Sequence, residues 1–391
     1  MRKYDRIRKV VRDMIPDIPF IRKYLTRKLE NSIKATMIPE EDVVQGELGS
    51  KQAILDKYNS ALGKHVLKIE EQIEQALMTG VNYQGLEPAE LEEIRTDMRF
   101  CYIAYGFIPG EYEAFGLESK GMDERKTYVS EQQRRLYRCK TNDILASNLF
   151  IDKSKTYKKY AKYYHRDVIS ISNPLHYKKF HKFLETHDLF VLKNSIDSLG
   201  KGVRLVKTRN IKDEKRFFIS CIRKGTHLLE EVIKQSAYLS AFNESSVNTV
   251  RAISFNTNKG IIVPYCTLRM GRAGSFVDNS GNGGVIACID YETGRIITDG
   301  YDEKGLVFKQ HPDTGVTFMN YQMPQWEELK KLCKDVALQT SKIRMIGWDF
   351  AHTDKGWVVV EGNDSPHIIA QQMILGGFKD VMEEMVKEMG E

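Results

Sequence analysis

An α+β fold with a mostly helical N-terminal region is what this 391-residue chain predicts. Three observations carry the expectation. Apolar residues between positions 53 and 78 recur at helical spacing (Ile54, Leu55, Tyr58, Leu62, Val66, Ile69, Ile73, Ala76, Leu77) and stop near Gly80. From about residue 168 the pattern changes to short apolar and β-branched runs punctuated by turn residues. Residues 345–363 read as two strands joined by Asp354-Lys355-Gly356, where a hairpin needs glycine in a left-handed conformation.

The chain is long enough for two or three packed units. Mean hydropathy is −0.43. No run of 18 apolar residues occurs, so no transmembrane helix is expected. The basic start, Met1 to Val11, lacks the apolar core and small-residue cleavage site of a secretory signal. Six cysteines are scattered without a CxxC pair, which fits a reduced, cytoplasmic setting and core thiols. Net charge is +6, a mild excess. It suits an anionic ligand such as a nucleotide, or loose contact with an acidic membrane surface. It is too diffuse for nucleic acid.

In chain order, residues 2–34 are basic and amphipathic, broken by Pro16 and Pro19. They read as a solvated helical arm, or as a helix docking on a membrane or protein partner. Residues 107–112 read as a turn and 143–153 as a short helix. Lys/Tyr-rich residues 156–164 read as a solvated helix face with buried tyrosines. Strands are expected at 167–172, 189–193, 203–207, 217–221 and 228–233, with a helix at 177–186. Further strands follow at 247–255 and 260–270, then a hairpin of 285–289 with 295–298. A helix at 326–343 leads into the hairpin at 345–363, and a last helix follows Gly376-Gly377. Four regions result: helical 1–100, a lead-in at 101–170, then 171–240 and 241–391.

Chemistry gathers in five places. If Thr353 pairs with Trp357, Asp349 faces Glu361 across the ladder, roughly 5 Å away. Like charges so placed destabilise a sheet unless something positive sits between them. Asn363 shares their face. Two carboxylates and an amide oxygen make an oxygen-only site that suits Mg²⁺ shared with a phosphate. The alternative is a solvated hairpin face, and a one-residue slip separates the acids. Lys193 ends a strand before a loop containing Gly200 and Gly202, so its cation and the loop's N–H groups can close over phosphate. It is not a Walker loop, because no Gly-Lys-Ser/Thr opens a helix. Glu230, Glu231, Val232 and Ile233 end an apolar run and can meet an adenine edge. Arg251 alternates with core-facing Val250 and Ala252, so it can meet a phosphate oxygen or form a structural ion pair. Residues 268–284, with Arg269 and Asn279, form a Gly-rich polar stretch of the kind that carries function.

Together these segments resemble the ATP-grasp fold, in particular its sugar-transfer associated family. The motifs that carry the likeness run in order. They are Asp152-Lys153, Lys193 before the Gly loop, Glu230 to Ile233, Ser246-Val247-Asn248-Thr249-Val250-Arg251, Asp278-Asn279 with Gly283-Gly284, Gly347-Trp348-Asp349, and Glu361-Gly362-Asn363. The resemblance spans residues 145–370 and does not extend to the first hundred.

The resemblance implies two α+β subdomains gripping ATP, with 171–240 as the lid side and 241–391 carrying the metal site. Lys153 and Lys193 then hold the α- and β-phosphates under a lid at 194–202, and Glu230 to Ile233 form the adenine hinge. Asp349, Glu361 and Asn363 bind one or two Mg²⁺. Arg251 steadies the transferred phosphoryl group. Arg269 and Asn279 reach the acceptor. The lid holds few glycines, and Asp364-Ser365 follows Asn363 where an arginine is usual. The implied activity is ADP-forming carboxylate–amine ligation in polysaccharide or natural-product modification, with carboxylate and amine substrates that are sugar-linked or peptide-like. A kinase on the same fold and a nucleotide-binding scaffold of a polysaccharide assembly complex are the alternatives.

Overall fold

The structure is a computed structural model that describes residues 19–197, 202–272, 274–275 and 283–390. Among these the N-terminal part is helical. Pro19–Lys34, Glu40–Leu48, Lys51–Val66, Glu70–Thr79 and Pro88–Ala104 are its main helices. Ile54, Leu62, Ile73, Phe100 and Ile103 form its core. The single helix expected at 53–78 is two. A tight turn, with Lys68 N–H donating to the His65 carbonyl and Ile69 N–H to that of Val66, separates them. The turn buries Ile69 and leaves Leu67 outside. Apolar spacing is blind to a break that keeps the periodic apolar residues on the core side. The turn expected at 107–112 is the start of a helix, Pro109–Ala114, with proline at a first position that needs no N–H. No described helix is long and apolar enough to cross a membrane. All six cysteines are free, and five are buried.

Two sheets follow. The first holds β1 (Val168–Ile171), β2 (Leu189–Asn194), β3 (Arg204–Lys207) and β4 (His227–Glu231), in the order β1-β4-β2-β3. The helices Tyr177–Thr186 and Glu214–Arg223 cover one face of it through Phe180, Phe183, Phe218 and Cys221. The second helix replaces the strand expected at 217–221. Asp213 caps it by accepting from Arg216 N–H at 2.9 Å. A short apolar run cannot by itself distinguish helix from strand, and the cap was the usable signal.

The second sheet contains β5 (Thr249–Thr257), β6 (Gly260–Ile262), β7 (Cys266–Met270), β8 (Val285–Ile289), β9 (Gly300–Tyr301), β10 (Val307–Phe308), β11 (Met345–Thr353) and β12 (Gly356–Asn363). Its order is β10-β9-β8-β7-β5-β11-β12, with β6 beside β5. The strand expected at 260–270 is interrupted around Pro264, which lacks the N–H a ladder needs. The hairpin expected at 285–298 is reduced to the isolated bridge Ile289–Ile296, because β8 pairs with β7 and β9 instead. The helix expected at 326–343 is Trp326–Ala337. On one face Val250, Ala252, Trp348 and Phe350 enter the main core. On the other, Ile253, Phe255 and Met345 lie under Phe378, Met382 and Met385 near the C-terminus.

The helix Glu131–Thr141 and the residue after it brace this second sheet. Asn142 is buried and uses both ends of its amide. Nδ2 donates to the carbonyls of Met345 (2.8 Å) and Asp364 (2.7 Å). Oδ1 accepts from Arg344 N–H (2.9 Å) and Met345 N–H (2.8 Å). Truncating it removes a partner from four backbone groups, of which Arg344 N–H keeps the Thr141 carbonyl at 3.3 Å. Asn142→Ala should therefore cost roughly 3 kcal/mol, read as a lower urea midpoint at unchanged slope.

Candidate active site

The hairpin β11–β12 sets the geometry. At its turn Thr353 pairs with Gly356 and His352 with Trp357. That is one residue off the supposed Thr353–Trp357 register. Continued straight, this ladder would put Asp349 opposite Val360 and turn Glu361 to the other face. The ladder instead shifts between Phe350, which pairs with Val359, and Asp349, which pairs with Glu361. Val360 is the extra residue of a β-bulge, a device that re-aims side chains. The facing carboxylates thus exist, through a bulge that no periodicity announces.

Arg251 lies opposite Asp349 on the next strand, and Thr267 lies opposite Arg251. A row Thr267–Arg251–Asp349–Glu361 therefore crosses four neighbouring strands on one face. The positive charge such a pair of acids requires is present. Arg251 grips Asp349 with two N–H groups, one of them Nη2 at 2.8 Å from Oδ2. Arg269 Nη1 lies 3.1 Å from both carboxylate oxygens. Burial pushes the Asp349 carboxyl up, but Arg251 and Arg269 outweigh it and hold it below the usual range. Among the described residues none donates to the Glu361 carboxylate. Asn363 pairs with Gly347 one step along, and its Oδ1 accepts from Ser365 N–H at 2.9 Å. The Glu361 carboxylate and the Asn363 amide oxygen retain spare lone pairs, an oxygen set that fits Mg²⁺ by its chemistry. Both Asp349 oxygens already accept from Arg251 and Arg269, which must yield before Asp349 joins them.

The sequence shows no arginine just after Asn363, yet space supplies two. Arg134 donates to the Ser365 carbonyl at 2.9 Å, and Arg138 holds Asp364 Oδ2 at 2.6 Å. Arg134 and Arg138, four apart on one helix face, and Asn142 just past the helix end together secure residues 364–366.

The phosphate side is built on the first sheet. Lys193 Nζ donates to Glu230 Oε2 at 3.0 Å, and Arg166 Nη2 donates to the same oxygen at 3.0 Å. Burial pushes Glu230 up, and Lys193 and Arg166 overcome that to hold it below its usual range. The Glu230 backbone pairs with both Val168 and Val191, so the carboxylate and the main chain are engaged within the protein. Glu231 ends the strand, its carboxylate accepting from Asp167 N–H at 3.0 Å. Val232 and Ile233 run on beyond the ladder, half-buried. Lys153 opens the helix Lys153–Tyr160, capped by Asp152. Its Nζ donates to the Asp197 carbonyl, and its N–H to Ser195 at 2.8 Å, so it sits at the loop after β2. Gly202 takes φ +84 in that loop. Gly200 and Asn279 lie outside the described residues.

Arg166 was not singled out from the sequence. Besides Glu230 it donates to the carbonyls of Val359 (2.7 Å) and Val360 (3.4 Å), the latter at the bulge. It thereby joins Lys193's partner in one sheet to the carboxylate hairpin of the other. Beside this network Asp167, His187 and Glu231 bring ligand atoms within 4.8 Å of one another.

The chain matches the family described as sugar-transfer associated ATP-grasp over residues 132–384. No curated protein matches it by sequence. Similar solved structures include the ATP-grasp ligase PsnB complexed with minimal precursor, at 11% identity and TM-score 0.39, covering 63% of each chain. A D-alanine–D-alanine ligase from Helicobacter pylori is 17% identical at TM-score 0.39, covering 63% of this chain and 64% of that one. PsnB complexed with minimal precursor, Mg and ADP gives 13% and 0.38, covering 63% and 62%. The match spans less than two thirds of each of these neighbours.

Asp349 and Glu230 release their protons more readily folded than unfolded. Below about pH 4 the unfolded chain therefore binds more protons, and stability falls as pH falls. The melting temperature should drop steeply there. Asp349→Asn should start lower at pH 7 and fall less on acidification. A parent melting temperature unchanged down to about pH 3 would contradict this.

Proposed function

The chain belongs to the sugar-transfer associated ATP-grasp family, and from that premise we propose an ATP-dependent, ADP-forming carboxylate–amine ligase of polysaccharide or natural-product modification. The observation that supports it most is the row Arg251–Asp349–Glu361 on one sheet face, tied through Arg166 to Lys193 and Glu230. In this reading residues 171–240 form the lid subdomain and 241–391 the large one, with 101–170 leading in and 1–100 as the helical region. The basic stretch at 2–34 is proposed as a docking element for a membrane surface or protein partner.

Lys153 and Lys193 bind the phosphates of ATP. Gly200 and Gly202 belong to the loop that covers them. With Glu230 engaged by Lys193 and Arg166, the hinge contacts to adenine fall to Glu231, Val232 and Ile233. Asp349, Glu361 and Asn363 would hold Mg²⁺, which when bound neutralises phosphate charge. Arg251 and Arg269 lie beside Asp349 and stabilise charge on the transferred phosphoryl group, with Arg269 and Asn279 toward the acceptor. A substrate carboxylate oxygen takes the γ-phosphoryl group and ADP leaves. An amine then attacks the acyl carbon. The C–N bond forms, the C–O bond to phosphate breaks, and the amine proton leaves to solvent. No protein nucleophile is required, so the buried cysteines need no catalytic part.

The test is ATP turnover with Mg²⁺ against a panel of amino acids and uronic acids, with amine acceptors, reading ADP and AMP. ADP and phosphate that depend on both acid and amine are expected. A phosphorylated product would instead identify a kinase, and AMP would overturn the acyl-phosphate route. ATP binding without turnover across the panel would point to the scaffold. Glu361→Gln should abolish turnover while stability stays within roughly 0.5 kcal/mol, because nothing described is paired to that carboxylate.

A further inference from the structure

Glu230 has two cations where one would neutralise it. The carboxylate is buried, and Arg166 and Lys193 reach the same oxygen at 3.0 Å each. The cations differ in what else fixes them. The Arg166 side chain is 4% exposed and also donates to the carbonyls of Tyr164 (3.3 Å), Val359 (2.7 Å) and Val360 (3.4 Å). Its guanidinium lies 4.4 Å over the Tyr164 ring. A planar fork held from several sides stays where it is. Lys193 stands near the end of β2, beside the loop, and its ammonium is a point charge on a flexible stem.

We infer that Arg166 is the resident counter-ion that frees Lys193 to move. When Lys193 leaves Glu230 for a phosphate oxygen of ATP, Arg166 remains, and the buried carboxylate is never left unpaired. The inference rests on the phosphate-binding reading of Lys193. Without Arg166, Lys193 would be the sole cation on a buried carboxylate, and moving it would expose the full penalty of an uncompensated charge. Arg166 thus governs ATP affinity without touching ATP. It is a positioning residue, and its effect passes through Glu230.

That dependence on Glu230 makes the test specific. Binding of a non-hydrolysable ATP analogue with Mg²⁺ is measured by calorimetry on the full chain. The variants are Arg166→Met, Glu230→Gln, the double variant, and Lys193→Met. Arg166→Met should weaken binding by at least about tenfold, and the double variant should return to within about threefold of the parent, since no carboxylate then detains Lys193. A merely structural arginine gives no such rescue. The inference is overturned if Arg166→Met binds as the parent does, or if the double variant binds no better than Arg166→Met. Should Arg166→Met fail to fold, Glu230→Gln decides. It should bind as tightly as the parent or tighter, and a loss equal to that of Lys193→Met overturns the inference. Lys193→Met separates the two levels. If it binds normally, the phosphate-binding reading falls and takes the inference with it. If it loses binding while Arg166→Met does not, the inference alone falls.

Discussion

One extra residue in β12 decides where the acids of this protein stand. The turn fixes a register in which Glu361 would face away from Asp349, and the bulge at Val360 reverses that. A bulge also leaves backbone carbonyls with unsettled partners, which is costly inside a protein. Arg166 answers that cost by donating to the carbonyls of Val359 and Val360. The irregularity is therefore held from outside the sheet that contains it, by a residue that enters from the segment before β1.

The same economy of charge recurs on both sheets. Asp349 and Glu230 are buried carboxylates, and each faces two cations: Arg251 and Arg269, or Lys193 and Arg166. A buried carboxylate with a single partner is fragile, because losing that partner strands the charge. A surplus cation gives the site latitude to hand one positive group to a ligand. Exposed ion pairs elsewhere, such as Lys259–Glu388, carry no such consequence.

Much of this was legible in the residues. The hairpin at 345–363 announced itself through its turn and its β-branched arms. The alternation of Val250, Arg251 and Ala252 placed the arginine on the face opposite the main core, where the structure has it. What escaped was nonlocal or irregular. The bulge has no periodic signature. Arg166, Arg134 and Arg138 reach their partners across long stretches of sequence, and nothing local marks them. The helix Glu214–Arg223 was misread because Phe217, Phe218 and Cys221 look alike as strand or helix once the cap at Asp213 is overlooked.

The brace on the carboxylate hairpin has a kinetic meaning. Asn142 meets Asp364 across 222 positions, Arg134 meets Ser365 across 231, and Gln372 pairs with the Val129 backbone across 243. Contacts of that span form only after long loops have closed, and their entropy is repaid late. Residues 364–366 therefore depend on these long loop closures, whereas Asn363 itself pairs locally with Gly347 in the hairpin. Synthesis must pass residue 364 before the first of these contacts can form.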